Sequence, residues 1–396
     1  MNGFYADRQS ASPVRPEVLE AMLPFFSENF GNPQSLHSAG QKAARALQTA
    51  REQVARLINC QPEEIIFVSS GSEANNLALK GLALANQTRG KQIVISAIEH
   101  VSVLRAARFL EKLGFKTVLA PVDGQGLVNP DKVAAAITPE TVLVSVMMAN
   151  NEVGTIEPVA EIASFCRSKG VLFHSDAVAA VGNIPVDVRA MGLEAMSLAA
   201  DQFGGPKGAA ALFLKKGTKI TPLIDGGIQE NNRRAGTENI PAIVGLGRAA
   251  ELAMVEMEDK GRRLRQLRDR LVTGVLTGLD EVILTGHPEK RLPHHASFCV
   301  KFVEGEAMLL GLDMNGIQVA SGSACTSRSL RTSHVLTAMG LDPAVAQGSL
   351  VLTLLDSTRE EQVDYFLEKF PPVVRRLREM SPLYTKFIQE KKDVHR

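Results

Sequence analysis

Apolar residues fall into two rhythms along roughly the first half of the chain. Spaced apolar positions with a helical period occur at 16–28 (PEVLEAMLPFFSE) and 38–58 (SAGQKAARALQTAREQVARLI). Short continuous apolar runs bounded by turn residues follow: IIFVSS at 65–70, QIVISA at 92–97, TVLAPV at 117–122, TVLVSVMMAN at 141–150, VLFHSDA at 171–177 and AAALFLKK at 209–216. Helical segments at 72–86, 101–113, 130–137 and 158–169 separate the earlier runs. Strands that are apolar on both faces and alternate with helices predict a mainly parallel sheet covered by helices on both sides. A long amphipathic helix is expected over 240–278, bridging to a second region of mixed α+β character at roughly 280–396. The terminal KFIQEKKDVHR reads as a solvated helix or a frayed tail.

Composition narrows the function. With 396 residues the chain exceeds what one core usually organises, so two domains are expected. Its formal net charge of +1 argues against a dedicated nucleic-acid binder, which would carry a basic stripe. The chain holds no apolar run of membrane-spanning length, and MNGFYADRQSASP lacks the basic-then-apolar order of a secretory leader. Cys60, Cys166, Cys299 and Cys325 are far apart and not in a metal-binding spacing. A reduced, cytoplasmic protein without a disulfide framework is therefore expected.

The candidate chemistry clusters where strands end. In IIFVSSGSEANNLALKG, Gly71 permits a tight turn and Ser72 is placed to cap a helix beginning at Glu73. Free N–H groups at such a start attract phosphate, although the same residues also serve an ordinary capped helix. HSDAVAAVG sets Asp176 at the carboxyl end of an apolar run, where a carboxylate suits a cationic ring nitrogen or simply caps a helix. His100 in EHVSVL and Asn151 in ANNEVG end two further runs. Polar groups delivered by several strands to one edge predict a small-molecule site. Cys325 lies in the Gly/Ser/Ala-rich GIQVASGSACTSRSL, a setting that suits a reactive thiol, whereas the other cysteines sit in helix or strand patterns.

Taken together, and over nearly the whole length, these segments resemble cysteine desulfurases of the nitrogen-fixation and housekeeping iron–sulfur type. Those are fold-type I pyridoxal-phosphate (PLP) enzymes of the class V aminotransferase family. The resemblance implies an α/β fold with a mainly parallel seven-stranded sheet sandwiched by helices, plus a small α+β domain. It implies a large domain at 16–254, a small one from 1–15 and 255–396 carrying the Cys325 loop, and a homodimer. By the same resemblance His100 stacks on the pyridine ring, Asp176 faces its nitrogen and Asn151 sits beside it. Gly71 and Ser72 hold the phosphate, Thr237 of RAGTEN reaches it from the partner subunit, and Cys325 accepts sulfur as a persulfide.

The departures from the family pattern are specific. Where the family has Ser-Ala-His-Lys before a Gly-Pro-Lys-Gly turn, this chain reads Ala199-Ala200-Asp201-Gln202 and then FGGPKG. Gln202 thus takes the place of the Schiff-base lysine, and Lys207 belongs to the following turn. Val351 aligns with the substrate-carboxylate arginine, Asp356 with a second arginine, and Ala179 with a glutamine that contacts the cofactor. A carboxamide is neither nucleophilic nor basic, and losing a general acid–base group alone typically costs about 10²–10⁴-fold in rate. Val351 cannot form a bidentate carboxylate clamp, and Asp201 puts an anion where the family has a histidine beside the phosphate. The expectation is PLP absent or held noncovalently. It follows that the chain is a dimeric scaffold in which Cys325 carries persulfide or ligates an iron–sulfur cluster. The cluster would be shared with a scaffold or sulfur-acceptor partner, without nucleic acid or membrane. The alternative is an active PLP-dependent desulfurase or lyase with noncovalent PLP.

Overall fold

The computed structural model describes residues 3–322 and 332–394. Among these residues the strands are β1 (Phe4–Tyr5), β2 (Ile65–Val68), β3 (Gln92–Ser96), β4 (Lys116–Ala120), β5 (Thr141–Ser145), β6 (Leu172–Asp176), β7 (Ala195–Ala199), β8 (Ala210–Leu214), β9 (Val282–Leu284), β10 (His295–Val300), β11 (Ile317–Gln318) and β12 (Ser349–Thr353). Seven of them form one sheet in the order β2-β8-β7-β6-β5-β3-β4. β4, β3, β5, β6 and β7 pair in parallel, while β8 runs antiparallel to both β7 and β2.

Alternation along the strands fills two cores. Phe67, Val144, Phe173 and Met196 face one side with the helices Ser38–Leu57 and Val159–Ser168. Ile66, Ile95, Leu143 and Leu212 face the other with the helices Gly71–Ala85 and Val101–Glu111. This is the expected sandwich, with strands buried on both faces because parallel crossovers put helices there. A second sheet, β12-β10-β9, and the short β1-β11 pair make a separate apolar cluster with Phe366 and Phe370. The helix Ile240–Gly278 runs for 39 residues, or ~58 Å. Its first half packs Ala242, Leu246 and Ala250 under the large sheet, and its second half packs Leu264, Leu271 and Val275 under the small one.

Three local expectations change. The segment 16–28 is two helices, Pro16–Met22 and Pro24–Ser27, because Pro24 cannot continue the first and starts the second. The run 141–150 is strand only to Ser145, and its remainder turns through Asn150. β7 was absent from the sequence reading and is fully buried between β6 and β8. The C-terminal segment is a largely exposed helix, Pro382–Val394. No helix of the described residues is long and apolar enough to cross a membrane.

Two buried carboxyls support the connections at the sheet edge. Glu99 follows β3 and accepts from Ser96 Oγ at 2.6 Å and from the Met147 amide at 2.7 Å. Glu157 accepts from the Val128 amide at 2.8 Å. Burial pushes each up to about 8. Both acids are therefore held neutral in the fold and ionise near 4.5 when unfolded, so native protein binds the extra protons between these values. Their stabilisation is complete at low pH and is lost as pH rises through about 8. The melting temperature should fall by at least a few degrees between pH values of about 6.5 and 9, and Glu157→Gln should flatten that slope. A parent protein whose melting temperature rises over this range would contradict the assignment.

Candidate functional site

A cavity of about 290 Å³ opens at the carboxyl ends of the parallel strands. Its walls bring together Gly71, Ser72, His100, Asn151, Asp176 and Gln202 of the expected site, along with Ala179, Asp201 and Val351.

One wall is the start of the helix Gly71–Ala85. Ser70, not Ser72, caps it: Ser70 Oγ accepts from the Glu73 amide at 3.1 Å. That leaves the Gly71 and Ser72 residues at the first helical positions, on the rim of the cavity. Gly71 is required by a close approach, since a Cβ there would lie 2.6 Å from Val178 Cγ2.

The second wall is a chain of hydrogen bonds from β6 to His100. Asp176 is buried, and its Oδ1 accepts from the Val178 amide at 3.0 Å. Asn75 Nδ2 donates to Asp176 Oδ2 at 2.6 Å and to Ser102 Oγ at 2.9 Å. His100 Nδ1 accepts from the Ser102 amide at 3.2 Å and lies 2.7 Å from Ser102 Oγ. Burial raises the Asp176 carboxyl above its ordinary value, and the His100 charge opposes that rise.

The third wall is the turn Ala200–Phe203 after β7. Gln202 is buried, and its Nε2 donates to the Gln9 carbonyl and to Asp201 Oδ2, both at 3.2 Å. Its backbone carbonyl accepts from Arg8 at 3.0 Å and from Asn183 Nδ2 at 3.3 Å. Gly204, at φ +84°, ends the turn. Lys207 is exposed beyond it, and no lysine lines the cavity among the described residues.

Asn151 is placed by the turn after Asn150, whose Oδ1 accepts from the Glu152 and Val153 amides. The buried His295 ring bonds the Asn151 carbonyl at 3.0 Å. Glu152 also lines the cavity, accepts from Ser333 Oγ at 2.5 Å, and is pushed by burial up to about 7. Val351 on β12 presents an apolar side chain to the cavity. Acidic groups outnumber basic ones: Asp7, Glu152, Asp176 and Asp201 against His100 among the described lining residues.

Thr237 does not reach this cavity within one chain. It lines a second one, of about 190 Å³, with Phe67, Ser69 and Gly208. Cys325 lies outside the described residues.

Sequence reading passed over Arg8, Gln9, Asn75 and Glu152. Arg8 is buried and donates to Asp356 Oδ1 at 2.7 Å, Asn183 Oδ1 at 2.8 Å and the Gln202 carbonyl. Lys260 lies 3.6 Å from Asp356. Burial alone would raise the Asp356 carboxyl, and the Arg8 and Lys260 charges override it and hold the carboxyl below its ordinary value. Asn75 did carry a signal, as a polar residue on the apolar face of a helix; Arg8 carried none.

Comparison with known proteins shows the family and the fold. The aminotransferase class-V model matches residues 4–366, and the chain belongs to that family. Among its relatives is cysteine desulfurase IscS of Clostridium botulinum strain Hall, 48% identical over 391 residues, covering 98% of each chain. Cysteine desulfurase IscS of Methanosarcina thermophila is 46% identical, covering 96% of this chain and 94% of its own. A solved NifS-like protein superposes with a TM-score of 0.89 at 36% identity, covering 95% of this chain and all of the other. The α/β architecture with a mainly parallel seven-stranded sheet is that of a fold-type I PLP enzyme.

Arg8→Ala should lower the unfolding free energy by about 2 kcal/mol, because it strips a half-buried carboxylate and two carbonyl-type acceptors of their shared donor while Lys260 remains. Arg8→Lys, keeping charge but not the fork, should fall between the two. Chemical denaturation measures both, and an Arg8→Ala protein as stable as the parent would refute the role.

Proposed function

We propose that this chain serves sulfur and iron–sulfur cluster metabolism as a desulfurase-fold homodimer without autonomous PLP-dependent desulfurase activity. In this reading Cys325 carries a persulfide or contributes one thiolate to a cluster shared with a partner. The observation that carries it is Gln202. It stands at the end of β7 with its amide engaged by Gln9 and Asp201, and no lysine stands beside it in the described lining. Similarity to proteins named cysteine desulfurase IscS supports the pathway, as does a cavity built at the same edge of the sheet. The reading also takes 16–254 as the large domain, 1–15 with 255–396 as the small one, and the cytoplasm as the location.

The residues fit PLP in part. Bound covalently, PLP supplies an electron sink for bonds at an amino-acid substrate's α-carbon. Gly71 and Ser72 at a helix start would hold its phosphate, Asp176 its ring nitrogen, and His100 and Asn151 its ring. Gln202 cannot hold it covalently, and Val351 cannot clamp a substrate carboxylate. The retained ring-and-phosphate half favours a second reading, in which PLP binds noncovalently to an active desulfurase or lyase. That reading still lacks a base at Gln202 and an anion clamp at Val351.

After incubation with PLP and borohydride reduction, peptide mass mapping should find no lysine carrying a phosphopyridoxyl group at one per chain. Stoichiometric labelling of Lys207 would overturn the reading of the site. Cys325 should alkylate faster than the other three thiols in the folded protein. Burial pushes Cys60, Cys166 and Cys299 each up to about 12, so their reactive thiolate is scarce at neutral pH. Quantitative alkylation with mass mapping decides this, and equal rates at all four thiols would remove the case for Cys325.

A further inference from the structure

The cavity keeps more of a ring site than of a phosphate site. At the ring end Asp176 is buried and is linked to His100 through Asn75 and Ser102. At the other end the start of the helix Gly71–Ala85 offers backbone N–H groups, and no lysine or arginine joins it among the described lining residues. Ala199, whose Cβ would stand 3.7 Å from a Cβ on Gly71, adds a methyl group there and no donor. Two guanidinium groups of the surrounding walls are committed elsewhere. Arg234 pairs with Glu73 at 2.9 Å and lines the smaller cavity with Thr237. Arg8 is engaged by Asp356, Asn183 and the Gln202 carbonyl. The cavity is also a poor solvent for anions. Burial raises the Asp7 and Asp176 carboxyls above their ordinary values and pushes Glu152 up to about 7. Surroundings that drive carboxyls toward their neutral form penalise any further negative charge.

We propose that this cavity selects against phosphate: it takes a small heteroaromatic base without a phosphate group in preference to the phosphate ester of the same base. The inference rests on the reading of Asp176 and His100 as partners of a pyridine ring. Base and ester share that ring, so Asp176 and His100 treat them alike. A ring nitrogen gains from a carboxylate when it carries a proton, so Asp176 favours the base in its cationic form. A phosphate monoester near neutral pH brings a charge of about −1.5 to −2. That charge enters a lining that holds Asp7, Glu152, Asp176 and Asp201 against His100. Like charges set together at an interface cost affinity, and the backbone N–H groups of one helix start face four acidic side chains. A noncovalent cofactor would depend on its phosphate for anchorage, so this selection removes the anchor that remains once Gln202 stands at the end of β7.

The test is equilibrium binding to the full chain by calorimetry, with pyridoxine and pyridoxine 5′-phosphate as probes. Both are alcohols, so neither forms a Schiff base with an exposed lysine such as Lys207. Pyridoxine should bind at least about fivefold more tightly than its phosphate ester. Asp201→Asn keeps the shape and removes a charge, and it should move the ratio of the two affinities at least about threefold toward the ester. If that variant fails to fold, Ala199→Ser adds a donor beside the helix start and should move the ratio the same way. A ratio unmoved in the folded variant overturns the proposal. An ester that binds as tightly as pyridoxine, or more tightly, overturns the proposal alone and leaves the ring reading standing. Failure of the ring reading has a different signature: neither probe binds, or Asp176→Asn leaves pyridoxine binding unchanged, and either result overturns both.

Discussion

Arg8 is a buried cation that must be satisfied where it sits, and its acceptors belong to the pieces of chain from which the cavity is assembled. Asp356 follows the last strand of the small sheet, Asn183 follows the β6 turn, and the Gln202 carbonyl belongs to the turn after β7. A guanidinium presents its donors in a rigid planar fork, so meeting three acceptors fixes their relative positions as well as their distances. The N-terminal segment is thereby held against the large sheet, and Gln9 is brought to the Gln202 amide. Charge helps to hold the arrangement together. Asp356, half-buried, is held below its ordinary value because Arg8 and Lys260 both face it. Removal of a buried, ionised partner costs more than the pair contributes, so the contact resists piecemeal change.

Much of the fold was legible because apolar continuity and helical period are local properties. The strands β2, β3, β4, β5, β6 and β8 coincide with or overlap runs that are plain in the sequence, and so does the helix Ile240–Gly278. β7 was not, because AMSLA has no β-branched residue and reads equally as the tail of a helix; its pairing with β6 and β8 decides its state. Gly71 could be found from its turn, while the capping role passed from Ser72 to Ser70 because the helix begins two residues earlier than expected. Thr237 was placed by resemblance in the partner's site, and within one chain it stands in a separate cavity. Arg8 could not be found at all, since its partners are 175, 194 and 348 residues away and nothing near it in sequence marks the contact.

On the reading proposed above, the residues of the Gln202 wall can also be weighed as a set. Resemblance alone makes Gln202, Asp201, Val351 and Asp356 look like separate losses. In the fold they are neighbours or share partners: Gln202 bonds Asp201, Arg8 bonds Gln202 and Asp356, and Val351 lies on the strand that precedes Asp356. A site that merely decays has no reason to retain such contacts. Here the amide of Gln202 is satisfied and the carboxylate of Asp356 is paired with Arg8 and Lys260.

This mutual fit limits what a single reversion can do. An arginine at position 356 would confront Arg8 and Lys260 where Asp356 now pairs with both, and like charges brought together are unfavourable. A lysine at position 202 would sit beside Asp201 and form an ion pair, which holds its amine protonated and withholds the lone pair that a nucleophile needs. A lysine at position 202 is therefore coupled to Asp201, and an arginine at position 356 to Arg8. Gln202 is tied to Asp201 by a hydrogen bond and Asp356 to Arg8 by an ion pair, so substitutions at these positions are coupled rather than additive.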